Sequence, residues 1–174
     1  MTDIDKLKKT NECQNCDLAG IDLSEMDLNN ATLKNANLRG ADLSSSFLFE
    51  ANLSGANLSG ADLRCSDLNS ADLRKADLRE ADLSNADLSE ADLSEANLQG
   101  AVLIGTDLRW ADLYDTNLNE TNLTKSNLSG ADLSEANLIN ADLTNANLTR
   151  ADISNADLTD ANLTNTITED IINN

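Results

Sequence analysis

Leucine recurs at every fifth position along almost the whole chain. From Cys16 to Asn165 the sequence divides into 30 consecutive five-residue units without an insertion, and the central position is Leu in 29 of them and Ile153 in the other. The position two residues before the centre is Ala in 21 units, and the position between them is Asp in 17 units and Asn in 10. The unit is therefore Ala, then Asp or Asn, then Leu, followed by two variable and mostly polar residues.

A five-residue period fits neither an ordinary helix nor a flat strand. On an α-helix, five residues advance the side chain by about 500°, so successive Leu side chains would form no stripe. On a strand, a step of five residues moves each Leu to the opposite face. All Leu side chains share one interior only if the backbone turns once per unit, which Asp, Asn, Gly and Ser tolerate. We therefore predict a solenoid in which the central residue and the residue two before it point inward.

The repeat resembles the pentapeptide repeat family, through units such as A-D-L-R-K at 71–75 and A-D-L-R-E at 76–80. The resemblance covers 150 of the 174 residues. It implies an all-β fold, a right-handed quadrilateral β-helix with four units per coil. Thirty units would form about 7.5 coils and a rod of about 36 Å at the usual spacing of strands. Some members of this family mimic duplex DNA and protect DNA gyrase from its poisons, whereas the uninterrupted consensus found here is most similar to the cyanobacterial type.

The sequence predicts a cap at each end of the β-helix at 16–165. Residues 1–15 form the N-terminal cap, in which a short helix at 2–10 would dock Ile4 and Leu7 on the first coil. Residues 166–174 form the C-terminal cap, in which three isoleucines would close the last coil and Thr168 would begin a helix. These isoleucines are Ile167, Ile171 and Ile172. An alternative for this apolar end is a homodimer contact, as the family resemblance implies.

The composition excludes several classes of function. The chain has no His, so the commonest general base and metal ligand is absent, and we expect neither an enzyme nor a bound cofactor or metal. The 31 acidic and 12 basic residues give a charge of −19, which disfavours direct nucleic-acid binding and suits a protein partner, including one with a basic surface. The first residues lack the apolar core of a signal peptide and the chain has no long apolar run, so we expect a cytoplasmic protein that does not enter membranes.

Residues twenty apart should stack if four units form one coil, which would align many Asp residues in columns. Such columns place like charges about 5 Å apart. They are explained structurally if each Asp caps its turn by accepting backbone N–H groups. They are explained functionally if they form a phosphate-like array for a basic partner. The two candidate columns are Asp22, Asp42, Asp62 and Asp82, and Asp72, Asp92, Asp112, Asp132 and Asp152.

Several basic residues follow one another closely in the middle of the chain. Arg64, Arg74, Lys75 and Arg79 fall within one coil's length of sequence, so they would surround one level of the rod. We expect them to pair with neighbouring acidic residues. They also weaken the interpretation as a DNA mimic, because they interrupt the negative field.

A few large apolar side chains stand at outward positions. Exposed aromatic residues on a polar surface indicate contact sites for a partner or for self-association. The alternative is that they cover one another or pack beneath a terminal segment. The candidates are Phe47 and Phe49 around one central Leu, and Val102, Ile104, Trp110 and Tyr114 on consecutive units of another coil.

Cys13 and Cys16 form a C-x-x-C pair near the N-terminus. Zinc would need two further ligands, and no second pair exists. Cys16 falls at an inward position, so packing as a small hydrophobic residue is the favoured interpretation, with a disulfide or redox role as the alternative. Cys65 falls at an outward position and is predicted to be a free thiol.

The sequence therefore supports two functional hypotheses. The first is a non-catalytic, rigid and acidic scaffold for protein–protein interaction. The second is a DNA-mimicking protein that binds gyrase and protects it from poisons. The absence of a loop that interrupts the repeats favours the first.

Overall fold

The structure, a computed structural model, describes residues 2–173. Its only helix in this range is α1, Asp3–Thr10. The rest of the described chain has no continuous strand and forms a ladder of single parallel bridges, each joining a residue to the one twenty positions later. The ladder runs from the bridge between Glu12 and Thr32 to the bridge between Asp152 and Ile172. The predicted stacking of residues twenty apart is therefore confirmed.

The four units of a coil lie on four faces, which we number by their central residues. Face 1 contains Leu33, face 2 Leu38, face 3 Leu43 and face 4 Leu48, and each face continues at intervals of twenty residues. The last two residues of each unit form the corner that leads to the next face.

Each corner is a β-turn whose third residue is left-handed. In one such turn the N–H of Ala36 donates to the carbonyl of Leu33 at 3.0 Å, and Asn35 has a φ of 54°. The last residue of every unit from Asn15 to Asp170 has a positive φ, although only seven of these residues are Gly. Between coils, the N–H of Leu38 donates to the carbonyl of Asn57 at 2.7 Å. The turn and the next coil thus satisfy many backbone polar groups, and Asp or Asn side chains accept further N–H groups, as Asn52 Oδ1 does from Ser54 at 3.0 Å, which permits a narrow rod.

The interior consists of stacked Leu with small residues between them. The central Leu residues from Leu18 to Leu148 are at most 2% exposed. Where Ser or Thr replaces Ala inside the rod, its hydroxyl donates to a nearby carbonyl, as from Ser46 to Leu43 at 2.6 Å and from Thr106 to Leu83 at 2.8 Å. The core therefore needs no aromatic residue, because the same Leu environment repeats.

Helix α1 closes the N-terminal end of the rod, as the sequence predicts. Thr2 is its N-cap and forms a capping box with Asp5. Leu7 is buried, and Ile4 packs partly buried against the core. The coil begins one unit earlier than the consensus indicates, because Cys13 takes the central position of a unit at 11–15.

Cys13 and Cys16 are joined by a disulfide, with both side chains buried. The favoured interpretation of packing without a bond is therefore wrong and the alternative of a disulfide is confirmed, while the inward position predicted for Cys16 agrees with its burial. The Leu-equivalent and Ala-equivalent positions of adjacent units face the same interior, which brings the two sulfurs together. Cys65 is a free and exposed cysteine, as predicted from its outward position.

The C-terminal end differs from the predicted cap. Residues 166–170 continue the turn pattern, and Ile167 and Ile172 bridge Asn147 and Asp152 of the preceding coil. No helix begins at Thr168, because Asp170 adopts the left-handed conformation that ends every other unit. Ile167 and Ile172 consequently stand at outward positions, and up to residue 173 no segment covers the last coil.

Candidate interaction surfaces

The predicted apolar residues do not form one patch. Phe47 and Phe49 lie on face 4, and Trp110 lies at the end of a face 4 unit three coils later, about 14 Å along the rod. Tyr114 stands at the corner between faces 1 and 2. Val102 and Ile104 belong to face 3, so the six residues are distributed around the rod. The sequence predicted the coil of each residue correctly, but it did not show that the residues lie on different faces.

Trp110 and Tyr114 are the exposed aromatic side chains in the second half of the rod. Their exposed fractions are 62% and 46%. The indole of Trp110 lies against the backbone of Gly130 in the next coil, so closely that a Cβ at Gly130 would collide with it. Gly130 has a φ of 71°, and its missing side chain leaves the space that the ring occupies. The ring is therefore supported on one side by backbone and open to solvent on the other.

Phe47 and Phe49 are also exposed, at 50% and 37%, while Val102 is partly buried. Phe47 replaces Asp in its column and bridges Asp27 and Asp67. The ring of Phe47 has no oxygen atom, so it cannot cap its turn by accepting an N–H group as Asp27 and Asp67 do. Its presence is unexplained by the coil itself, which is the property expected of a contact residue.

Both acidic columns form as predicted, through consecutive bridges. The first runs from Asp22 to Asp82 and is interrupted at Val102, and the second runs from Asp72 to Asp152 and is followed by Ile172. Oδ1 of Asp82 accepts the N–H of Ser84 at 2.9 Å and its hydroxyl at 2.6 Å, and the same pair of bonds recurs along the rod. These Asp residues therefore cap their turns, and their functional explanation as an array for a basic partner stays a prediction.

The hydroxyl donors also stabilise the charged form of several carboxylates. Hydrogen bonds from the hydroxyl and N–H of Ser24 lower the pKa of Asp22, and Ser154 lowers the pKa of Asp152 in the same way. Such carboxylates stay ionised although further carboxylates stack near them. The columns therefore contain carboxylates whose charged form is stabilised by the turn itself.

Arginine takes the place of the hydroxyl donor in four units. The guanidinium of Arg74 donates to both carboxylate oxygens of Asp72, at 2.8 and 2.7 Å, and Arg79 binds Asp77 in the same way. The side-chain hydrogen bond from Arg74 lowers the pKa of Asp72. Lys75 pairs with Glu95 at 3.2 Å. The expected pairing of the basic residues with acidic neighbours is confirmed, yet these side chains remain about half exposed or more.

Two shallow grooves follow the edges of face 2. One has a volume of about 570 Å³ and lies among Arg39, Gly60, Arg79 and Gly100. The other has a volume of about 510 Å³, and its lining includes Lys34, Gly55, Arg74 and Lys75. The sequence analysis did not single out Lys34 and Arg39, because each lies forty residues before the arginine that lines the same groove. A comparison of residues forty positions apart would have identified both.

Other kinds of site find little support in residues 2–173. They contain no group of three or more Cys, Asp or Glu side chains arranged to hold a metal ion. None of their helices is long and apolar enough to cross a membrane.

Comparison with known proteins agrees with the coil. The family model for pentapeptide repeats matches in eight copies, over residues 12–48, 51–90, 91–130 and 126–165. No curated protein sequence matches the chain. Among solved structures, HetL from the cyanobacterium Nostoc sp. strain PCC 7120, a pentapeptide repeat protein involved in heterocyst differentiation regulation, is 34% identical with a TM-score of 0.66. That match covers 92% of this chain and 82% of HetL.

A second solved structure shares the fold at lower identity. QnrB1, a plasmid-mediated fluoroquinolone resistance protein, is 22% identical with a TM-score of 0.75 over 94% of this chain and 82% of its own. These relatives imply that the ladder of coils is a right-handed quadrilateral β-helix.

Proposed function

Since the chain belongs to the pentapeptide repeat family, we propose that it is a non-catalytic scaffold that presents fixed side chains to a protein partner. The observation that carries this proposal is the pair Trp110 and Tyr114, which are exposed on consecutive faces of one coil and serve no purpose in the coil itself. Aromatic residues of this kind supply much of the binding energy at protein interfaces.

The support beneath Trp110 strengthens the proposal. The ring already rests on the backbone of Gly130, so it loses little conformational freedom when a partner covers its open side. The turn positions of the coils before and after it, Ser89, Glu90, Ser129 and Gly130, carry no other aromatic side chain, and the ring is 62% exposed. A flat or shallow concave partner surface fits such a feature.

Replacing both aromatic residues by Ser tests the proposal without disturbing the rod. Ser94 and Ser134 already flank Tyr114 in its column, and Ser70 already ends a unit with a φ of 57°. We expect the variant Trp110→Ser/Tyr114→Ser to keep the wild-type melting temperature and to lose partners in quantitative affinity capture from host lysate. The matched control, Lys125→Ser, also changes a single exposed corner of the same region. An identical set of captured proteins for wild type and the double variant contradicts the proposal.

Protection of gyrase is the second candidate function. The observation that favours it is the pair of acidic columns, which keep carboxylates at regular intervals along two faces. The likeness to QnrB1 is a likeness of fold, and the basic residues on face 2 oppose a continuous negative surface. A DNA supercoiling assay with purified gyrase and a quinolone decides between the candidates: protection or inhibition at micromolar protein supports the DNA mimic, and no effect removes it.

The open C-terminal end supports a homodimer as part of the scaffold. Leu163, Ile167 and Ile172 are 43 to 46% exposed there, around a last coil whose inward side has no covering segment up to residue 173. Two copies that met end to end would bury these side chains. Replacements that each column already accepts can test this contact. Asn147 precedes Ile167 in one column, and Asp152 precedes Ile172 in the other.

We expect the wild type to sediment as a dimer and the variant Ile167→Asn/Ile172→Asp to sediment as a folded monomer. The replacements follow the residue types of each column, so the coil should persist. A monomeric wild type at high micromolar concentration, or an unchanged dimer in the variant, contradicts the end-to-end contact.

A further inference from the structure

One stretch of face 2 has the opposite charge to the rest of the rod. Within residues 33–40, 53–60 and 73–80, which are three consecutive levels of this face and its two corners, five residues are basic and two are acidic. The basic residues are Lys34, Arg39, Arg74, Lys75 and Arg79. We call this surface the basic face. Outside it, the chain has seven basic and 29 acidic residues, so a net charge of +3 stands within a chain of −19.

The basic face has charges at both edges and a neutral level between them. Arg39 and Arg79 stand on one edge, two coils or about 10 Å apart, and Lys34 and Arg74 stand on the other at the same interval. The intervening level, residues 53–60, has no charged side chain and contains Ser54, Gly55, Ser59 and Gly60. The two grooves described above run through this level, and their linings also include Glu80 and Glu120 on one edge and Asp92 and Glu95 on the other.

The cations of the basic face are available to a ligand to different degrees. Arg79 binds Asp77, whereas Arg74 binds both Asp72 and Asp92, and both arginines remain more than half exposed. Lys34 and Arg39 form no ion pair and no side-chain hydrogen bond within residues 2–173. A Cβ at Gly60 would meet no atom within 4 Å, so the space between Arg39 and Arg79 is open. The coil itself therefore leaves Arg39 unpaired beside an open groove, whereas the charge of Lys34 helps to lower the pKa of Asp72 and the side chain of Asn35 covers Gly55.

The occupant that this surface fits is an acidic segment of another protein. Its carboxylates would pair with Lys34 and Arg39 and add a further contact to the exposed edges of Arg74 and Arg79. Nucleic acid is disfavoured because its charge extends far beyond the basic face, onto columns of ionised Asp. A second copy is disfavoured as the occupant of this face because its acidic columns would lie alongside those of the first rod, which an end-to-end contact avoids.

We propose that the basic face is a docking site for an acidic, carboxylate-rich protein segment. This inference rests on the scaffold role proposed above, but it concerns different residues from Trp110 and Tyr114. Its test uses a defined peptide rather than a natural partner, so its failure and the failure of the aromatic surface are separate results.

The probe is a fluorescein-labelled oligoglutamate peptide, with an oligoglutamine peptide of the same length and a double-stranded DNA oligonucleotide as comparisons. Binding is followed by fluorescence anisotropy, at about 0.02 M and about 0.15 M salt, since screening weakens exposed ion pairs. We expect the full chain to bind oligoglutamate more tightly at low salt and to bind neither oligoglutamine nor DNA.

Two variants connect the binding to the basic face. In Lys34→Ser/Arg39→Ser, each replacement introduces the residue that follows in its column, Ser54 or Ser59, and removes no internal contact. We expect affinity to fall about fivefold or more, as the loss of two exposed ion pairs implies. In Gly60→Glu, the new carboxylate would fill the groove between the arginines, and Glu80 shows that Glu is accepted at the next position of that column.

The matched control is Lys125→Ser/Arg150→Ser, which makes the same change in charge away from the basic face. We expect it to reduce affinity less than twofold. The proposal is overturned if oligoglutamate does not bind below about 1 mM, a Kd that corresponds to about −4 kcal/mol. It is also overturned if the control weakens binding as much as Lys34→Ser/Arg39→Ser, or if DNA binds as tightly as the peptide.

Discussion

Truncation of one central Leu in the middle of the rod tests the energetics of the core. Leu88 is fully buried between Leu68 and Leu108 of the neighbouring coils, which are also fully buried. Its backbone is fixed by a hydrogen bond from its N–H to the carbonyl of Asp107 at 2.7 Å. Leu88→Ala therefore leaves a cavity that the stacked coils cannot close, and we expect it to lower the free energy of unfolding by about 4 kcal/mol, near the upper part of the range for buried Leu.

The same substitution at the end of the rod provides the comparison. Leu163 is 43% exposed in the last coil and has no coil beyond it up to residue 173. Leu163→Ala removes less buried surface and opens no closed cavity, so we expect a loss of about 1 kcal/mol. The two positions have the same sequence context, Ala-Asx-Leu, so the difference comes from their place in the stack.

Urea unfolding of both variants and of the wild type measures these losses. Far-UV circular dichroism follows the whole rod and Trp110 fluorescence follows its second half, because the end of a solenoid can open before its centre. The midpoint should fall much further for Leu88→Ala at an unchanged slope. Equal losses for the two variants would refute the reasoning, since they would mean that Leu163 is as enclosed as Leu88.

Three further outcomes follow from the structure. Thr121→Ala should change the free energy of unfolding in urea by less than about 1 kcal/mol. Ala is the usual residue at this inward position, and the carbonyl that accepts the hydroxyl of Thr121 also accepts a backbone N–H. A thiol reagent should titrate one group, Cys65, in the native or the urea-unfolded protein, and three after reduction, because Cys13 and Cys16 form a disulfide; three reactive thiols without reduction would contradict the bond. Hydrogen bonds from Arg74 lower the pKa of Asp72 from 3.8, so the stability that this pair contributes is present above pH 3.8 and is lost as the pH falls through the folded-state pKa. Between about pH 5 and pH 2.5 the melting temperature should therefore fall less for Asp72→Asn than for the wild type, and an equal fall would be the contrary result.

The coil itself could be predicted because its rules are local. Each five-residue unit carries its own turn residues and its own inward pair, so the twenty-residue stacking and the burial of Leu follow from one unit repeated. Helix α1 was predictable for the same reason, since Thr2, Asp5 and the lysines near its end are signals within ten residues. The caps of the turns by Asp were also predictable from the residue type.

The features that were missed depend on contacts between distant or atypical units. The disulfide required that Cys13 be recognised as a central residue, although every other central residue in the repeat is Leu or Ile. The continuation of the ladder to Ile172 could not be predicted from the Leu consensus, because the turn pattern persists there without it. The basic face can be recognised only if Lys34 and Arg39 are compared with the residues forty positions later, which lie beside them in the coil.

The apolar residues show the limit of sequence reasoning about surfaces. Phe47, Trp110 and Tyr114 are outward and exposed as predicted, but their separation around the rod becomes visible only when each unit is assigned to a face. Their role as contact sites stays a prediction. The cytoplasmic location also stays a prediction, and the thiol titration bears on it, because structural disulfides are typical of oxidising compartments.

The rise of the rod per twenty residues is the most direct test of the architecture on which every proposed surface depends. Spin labels at Ser44 and Thr124 should lie four coils or about 19 Å apart, and labels at Ser44 and Thr144 should lie five coils or about 24 Å apart. Pulsed electron paramagnetic resonance on cysteine variants that also have Cys65→Ser measures both distances. Narrow distributions that differ by about 5 Å are the predicted result. Distances that do not increase by one coil spacing for twenty further residues would contradict the stacked coil and the faces assigned on it.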